Sequence, residues 1–186
     1  MKHIIAIVGM PGAGKSEASS FFKQKSIPVV RFGEITDEGL SLRGLPKTEA
    51  NEKAFRENIR EELGMAAYAI KAEAKIVATL ESSDIVAIDG LRSYEEYEYL
   101  KDKFNNLQLL AIYASPQIRH ERLNERKERS LTIGESNKRD VAEILNLHMG
   151  PPIALADHLI KNEATLEDLH NKLENYLKEV KKTSKF

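Results

Sequence analysis

Residues 7–19 read IVGMPGAGKSEAS, and within them Gly9, Met10, Pro11, Gly12, Ala13, Gly14, Lys15 and Ser16 fit the pattern G-x-x-x-x-G-K-[ST]. A glycine-rich turn that merely joins a strand to a helix is the plain alternative. It is outweighed by context: an apolar run from His3 to Val8 has the pattern of a buried strand, and residues 16–25 have that of a helix. Glycines let backbone N–H groups converge on phosphate oxygens, and the helix that follows adds its positive end. Lys15 is long enough to reach the β- and γ-phosphates, and the Ser16 hydroxyl is placed to hold Mg²⁺. A nucleoside triphosphate is therefore the expected ligand and Mg²⁺ the expected ion.

Further apolar runs lie outward from this stretch. Residues 27–32, 84–88 (DIVAI), 107–114 (LQLLAIYA) and the short HLIKN from His158 read as strands, with helical patterns between them. Strands buried on both faces and alternating with helices predict an α/β fold with a mostly parallel sheet. Residues 48–80 read as one long helical segment with an apolar side at Ile59, Leu63, Ala66, Ala67, Ile70, Ala74 and Val77. Residues 116–129 read as a charged helix, TIGESN after it as a loop, and GPP at 150–152 as a break. Thr165 caps a last helix, whose basic end KKTSKF is expected to fray.

Composition excludes several classes. The chain has 186 residues, 41% hydrophobic and 31% charged, which suits one ordinary folded domain. Lys plus Arg number 28 against 29 for Asp plus Glu, so net charge gives no reason to expect nucleic acid or an anionic membrane as partner. With no cysteine there is neither a disulfide nor a thiolate metal site. The first apolar run is cut short by Gly9, Pro11 and Gly12, and no run approaches the ~18 apolar residues of a membrane span. A cytoplasmic location is expected, and oligomeric state is not legible.

The run DIVAIDGLRSYEE ends a strand with Asp89, Gly90 and Arg92. In a parallel sheet such residues face the crevice at the carboxyl ends of the strands, to which the first strand also delivers its phosphate loop. Asp89 is a candidate for Mg²⁺, and Arg92 for a second phosphate. Arg119, Arg122, Arg126 and Arg129 follow helical spacing and would share one face. Guanidinium groups so arranged can neutralise the charge that spreads over a phosphoryl group in transfer, which gives them the role of a lid.

The order GMPGAGKS, DGLR and RLNERKER is that of nucleoside monophosphate kinases, and ADHLIKNEATLEDL resembles the closing strand and helix of dephospho-CoA kinase. Over almost its whole length the chain resembles an uncharacterised, largely archaeal family of adenylate-kinase-related and dephospho-CoA-kinase-related P-loop proteins. The resemblance implies a P-loop NTPase three-layer sandwich like that of nucleoside monophosphate kinases. Its core, carrying an ATP site, would span about 1–32, 76–118 and 150–186, with an acceptor-binding insertion at about 33–75 and a lid at about 119–149. It further implies catalytic roles for Lys15, Arg92, Arg122 and Arg126, with Arg139 as a distal lid arginine. The loop near residues 162–164 would meet the base mainly through its backbone. One departure stands out. Where adenylate kinases have G-D-x-x-R, this chain has GEITD, with Glu34 at the acid and Asp37 in place of the arginine that holds the acceptor phosphate. Arg56 and Arg60, or Arg43, are candidates to replace it.

Two acceptors compete. A monophosphate is already a nucleophile and needs arginines for positioning, whereas a hydroxyl benefits from a carboxylate base, for which Glu34 and Asp37 are candidates. The D-x-D element of dephospho-CoA kinases is absent, and Arg56, Arg60 and Arg92 favour a nucleotide acceptor. A third possibility is an ATP-binding regulator or slow ATPase acting on a protein partner. The five histidines show no ligand spacing and read as surface or strand-end residues. Tyr94, Tyr97 and Tyr99 read as helix packing.

Overall fold

The computed structural model describes residues 2–183. Five strands, β1 (His3–Val8), β2 (Val29–Arg31), β3 (Ile85–Asp89), β4 (Leu107–Tyr113) and β5 (His158–Lys161), form one sheet in the order β2-β3-β1-β4-β5. Every pairing is parallel. β1 lies at the centre, flanked on both sides, and all six of its residues are buried. This burial explains its unbroken apolar run.

The alternation of side chains along β1 divides the core into two layers. Ile4, Ala6 and Val8 face one cluster with Val86, Ile88, Leu109 and Ala111, while Ile5 and Ile7 face another with Ala87, Leu110 and Ile112. On the second side the sheet is covered by α1 (Lys15–Gln24) and α9 (Leu166–Thr183), through Phe21, Phe22, Leu169, Leu173 and Leu177. On the first it is covered by α4 (Ala67–Ser82), α5 (Tyr94–Lys103) and the short α8 (Gly150–Ala154). The result is a three-layer α/β sandwich with helices on both faces. α2 (Gly33–Leu42) and α3 (Glu49–Leu63) intervene between β2 and α4, and α6 (Pro116–Asn124) and α7 (Ile133–Leu145) between β4 and α8. No helix among the described residues is long and apolar enough to cross a membrane.

Several local expectations are corrected. The segment 48–80 is two helices rather than one, because Gly64 takes φ 77° and ends α3. The break resets the helical phase, so the inner face of α4 is Ala69, Ala72 and Ile76, while Ala74 and Val77 point outward. The charged helix stops at Asn124, so Arg126 and Arg129 do not share its face. TIGESN opens α7: Thr132 accepts from the Glu135 backbone N–H and Glu135 reaches back to the Thr132 N–H, a complete capping box. GPP follows the end of α7 but itself opens α8, with proline in the first turn, where its missing N–H costs nothing. The basic tail is helical through Thr183, and residues 184–186 of KKTSKF lie outside the described residues. His3 is buried at the start of β1, a strand end as expected, whereas His120 is neither at the surface nor at a strand end but buried in α6.

Candidate active site at the carboxyl edge of the sheet

The phosphate loop leaves β1 and enters α1 at the middle of the sheet. It is held tightly from behind. A Cβ on Gly9 would lie 2.3 Å from the Ile112 carbonyl oxygen, so only glycine allows β4 to approach this closely. Asn162, buried after β5, donates from Nδ2 to the Ala13 carbonyl at 2.8 Å. Arg119, also buried, donates from Nη1 to the Pro11 carbonyl at 3.0 Å. Two side chains distant in sequence therefore fix the loop's backbone.

In front of the loop opens a cavity of about 540 Å³. Gly9, Pro11, Gly12, Gly14, Lys15 and Ser16 line it, and so do Asp89 and Arg92 from the end of β3. Arg56 and Arg60 of α3 line it as well, together with Arg122, Arg126 and Arg139. The remaining cations are Arg31, Lys47 and Arg129, giving ten in all against six carboxylates, Glu17, Asp37, Glu52, Asp89, Glu96 and Glu143. That excess suits a polyanion.

Lys15 donates from Nζ to the carbonyls of Gly9 at 2.6 Å and Met10 at 3.2 Å. Burial, and after it the Arg92 charge, lowers its pKa to about 8, and Glu143 and Asp89 oppose the shift. Glu143, on α7, collects two of the cavity's arginines: its Oε1 lies 3.4 Å from Arg92 Nη1 and 3.7 Å from Arg139 Nε. Asp89 pairs with Ile7 in the sheet register, which puts its carboxylate at the root of the loop, 3.8 Å from Arg31 Nε. Ser16 and Asp89 thus offer two oxygens to one cavity. Among the described residues no group of three or more His, Cys, Asp or Glu could hold a metal by itself. Two protein oxygens, with phosphate and water to complete the shell, is a donor set that fits Mg²⁺.

Other expected residues fall elsewhere. Glu34 does not line the cavity; its Oε2 takes Lys75 Nζ at 2.7 Å. Asp37 does line it, but its carboxylate is paired with Lys47 Nζ at 2.6 Å. Arg43 stacks over the Phe55 ring at 5.0 Å. Met10 and Ala13 line a smaller recess of about 160 Å³ behind the loop, with Ile112, Tyr113 and Arg119. Arg129 reaches across to buried Glu52, with Nη2 3.0 Å from Oε2. The sheet edge also brings in residues that spacing did not single out. Chief among them is Glu96, 1% exposed on α5, whose Oε2 accepts from the Arg92 backbone N–H at 2.6 Å while Oε1 has no partner. Burial pushes its carboxyl up to about 7, against the pull of the Arg92 N–H and the Arg60 charge. The S-x-x-E spacing of Ser93 and Glu96 was the signal that could have located it. Beside it, Thr36 Oγ1 and the Tyr68 hydroxyl lie 2.7 Å apart, and Tyr68 stacks on Phe32 with centroids 6.4 Å apart.

A phosphate loop on the central strand, opening into a cation-lined cavity at the carboxyl edge of a parallel sheet, defines a P-loop NTPase with a kinase-like fold. Residues 5–146 match the AAA domain family. A UPF0200 protein of Pyrococcus horikoshii is 35% identical over 181 residues, covering 95% of this chain and 97% of the relative. One from Methanocaldococcus jannaschii is 37% identical over 179 residues, covering 95% and 90%. The chain belongs to the UPF0200 family of P-loop proteins. Among solved structures, TT1252 from Thermus thermophilus matches it with a TM-score of 0.70 at 18% identity, over 96% of this chain and 97% of that one. Shikimate kinase from Bacteroides thetaiotaomicron matches with a TM-score of 0.61 at 15% identity, over 95% and 98%. At these identities the likeness is one of fold.

Proposed function

We propose that this chain is an ATP-dependent phosphotransferase that moves the γ-phosphoryl group of Mg·ATP to a nucleoside monophosphate or a similar nucleotide. The observation that carries the reading is that the cavity continues from the phosphate loop to Arg56 and Arg60 of α3, with ten cations against six carboxylates along its walls. That excess suits a second anionic group beside the donor phosphates, and a nucleoside monophosphate supplies one.

In this reading Lys15 and the loop amides hold the donor phosphates, and Ser16 and Asp89 would hold a Mg²⁺ ion, which would supply neutralising charge there. Arg92, Arg122, Arg126 and Arg139 surround the group in transfer, and Arg56 and Arg60 hold the acceptor's phosphate. Helices α2 and α3 form the acceptor-binding insertion, and the segment around α7 the lid. Transfer to a hydroxyl is the second reading, favoured by Asp37 on the cavity wall. It requires Asp37 to leave Lys47 before it can take a proton. Coupled ADP release from Mg·ATP, run across the nucleoside monophosphates and dephospho-CoA with Lys15→Ala as the blank, tests the two. Stimulation by a monophosphate supports the first. Stimulation by dephospho-CoA alone, abolished by Asp37→Asn, supports the second.

A further inference from the structure

α7 carries Arg139 and Glu143 into the cavity, yet the apolar core does not hold it. Its buried residues are Ser136 and Glu143, both polar, and neither core cluster includes a side chain from it. Its large apolar residues face outward: Ile133 is 63% exposed, Val141 54% and Leu145 66%. A helix without apolar burial takes its position from polar contacts, which are directional and can be undone one at a time.

The strongest of these contacts is at Asp140. Arg119 meets it with a two-pronged fork, Nη1 to Oδ1 at 2.8 Å and Nη2 to Oδ2 at 2.7 Å. His120 Nε2 adds a third contact to Oδ2 at 2.9 Å. Arg119 is 4% exposed and is itself immobilised, because Nε donates to the Ala114 carbonyl at 3.1 Å and Nη1 to the Pro11 carbonyl at 3.0 Å. One guanidinium therefore touches the end of β4, the phosphate loop and α7 together. A planar fork of five donors can do this, and a lysine cannot.

We propose that Asp140 is a positioning residue: through Arg119 it fixes α7 to the phosphate loop and so sets Arg139 and Glu143 beside Lys15. Arg139 is its chain neighbour, and Glu143 follows three residues later on the adjoining turn. Glu143 in turn receives Arg92. The chain of contacts runs from the Pro11 carbonyl through Arg119 and Asp140 to Arg139, Glu143 and Arg92. Arg119, read from the sequence as one of a row of lid arginines, acts in this account from behind the loop. The inference rests on the phosphate site proposed above, but the attachment of α7 can be tested without nucleotide.

The experiment uses the full chain. Amide hydrogen exchange is compared between the parent protein and Asp140→Asn in the absence of nucleotide. Exchange over α7 is expected to accelerate by about tenfold or more, with β1 and β4 protected as in the parent. Unchanged protection of α7 overturns the proposal. Should Asp140→Asn fail to fold, Arg119→Lys keeps the charge but removes the fork, and the same outcomes are read from it. Mg·ATP affinity is then measured for Asp140→Asn, Arg139→Ala and the double variant. Because Asp140 acts partly by placing Arg139, the double variant is expected to lose clearly less affinity than the product of the two single losses. Independent, multiplying losses overturn the positioning role. A parent protein that does not bind Mg·ATP would sink the nucleotide reading, while the exchange data would still decide the attachment of α7.

Discussion

Replacing Glu96 by glutamine should make the protein more stable at pH 8 than the parent, and the gain should vanish in acid. The carboxyl is buried, and its pKa is raised from 4.5 to about 7. Between those values the native state binds more protons than the unfolded chain, so the parent loses stability as pH rises through that window. At about 1.4 kcal/mol per pH unit, the penalty reaches about 3 kcal/mol once Glu96 is ionised. The amide introduced by Glu96→Gln cannot ionise, and its carbonyl can still accept the Arg92 N–H. The stability difference between variant and parent should therefore grow by up to about 3 kcal/mol from pH 4.5 to pH 8, or roughly 6–12 °C in Tm for a chain of this size. Urea unfolding at four or five pH values measures it. A difference that stays flat with pH, or that shrinks as pH rises, would refute the assignment of Glu96 as a carboxyl whose ionisation is opposed by burial.

Two further tests address the phosphate loop. Lys15, lowered to about 8 by burial and then by Arg92, is half-charged at pH 8, and triphosphate oxygens beside it would restore its charge. Binding of Mg·ATP should then take up about half a proton at pH 8 and about a tenth at pH 7. Calorimetry in buffers of different ionisation enthalpy reads this uptake, and Lys15→Met should lose it. Asn162→Ala removes the hydrogen bond to the Ala13 carbonyl. Leaving that carbonyl unpaired should cost about 1–3 kcal/mol in denaturant titrations and weaken Mg·ATP binding at the same time. Full retention of both would show that the loop does not depend on this buttress.

Sequence pattern revealed the parts of the fold that are local. β1, the loop and α1 form one continuous signal, since glycines, a lysine and a hydroxyl at fixed offsets leave little choice of conformation. The other strands were legible because strands buried on both faces need unbroken apolar runs. Periodicity failed at Gly64, where one glycine turned an apparent single helix into two and rotated the inner face of the second. It failed again at α7, whose apolar residues face outward and give no inward stripe. There the capping box of Thr132 and Glu135 carried the information. Of the cavity's lining, the loop and Arg92 were legible from residue type and position, and Arg56 and Arg60 through the resemblance to nucleotide kinases. Glu143, Asn162 and the inward turn of Arg119 were not, because each depends on a contact between segments far apart in the chain; Glu96 carried a local capping signal with Ser93, but its burial did not show in the sequence. A row of arginines at helical spacing does not say which of them are bound from behind and which face the cavity.

The central claim is that a phosphoryl group leaves ATP for a second small molecule held in the same cavity. The most direct test follows the label from ATP carrying a radioactive γ-phosphate, with each nucleoside monophosphate in turn and the products separated by chromatography. The account predicts label in a nucleoside diphosphate for at least one acceptor, lost in Lys15→Ala and strongly reduced in Arg92→Ala. Label that appears only as inorganic phosphate, at a rate no acceptor changes, would contradict it.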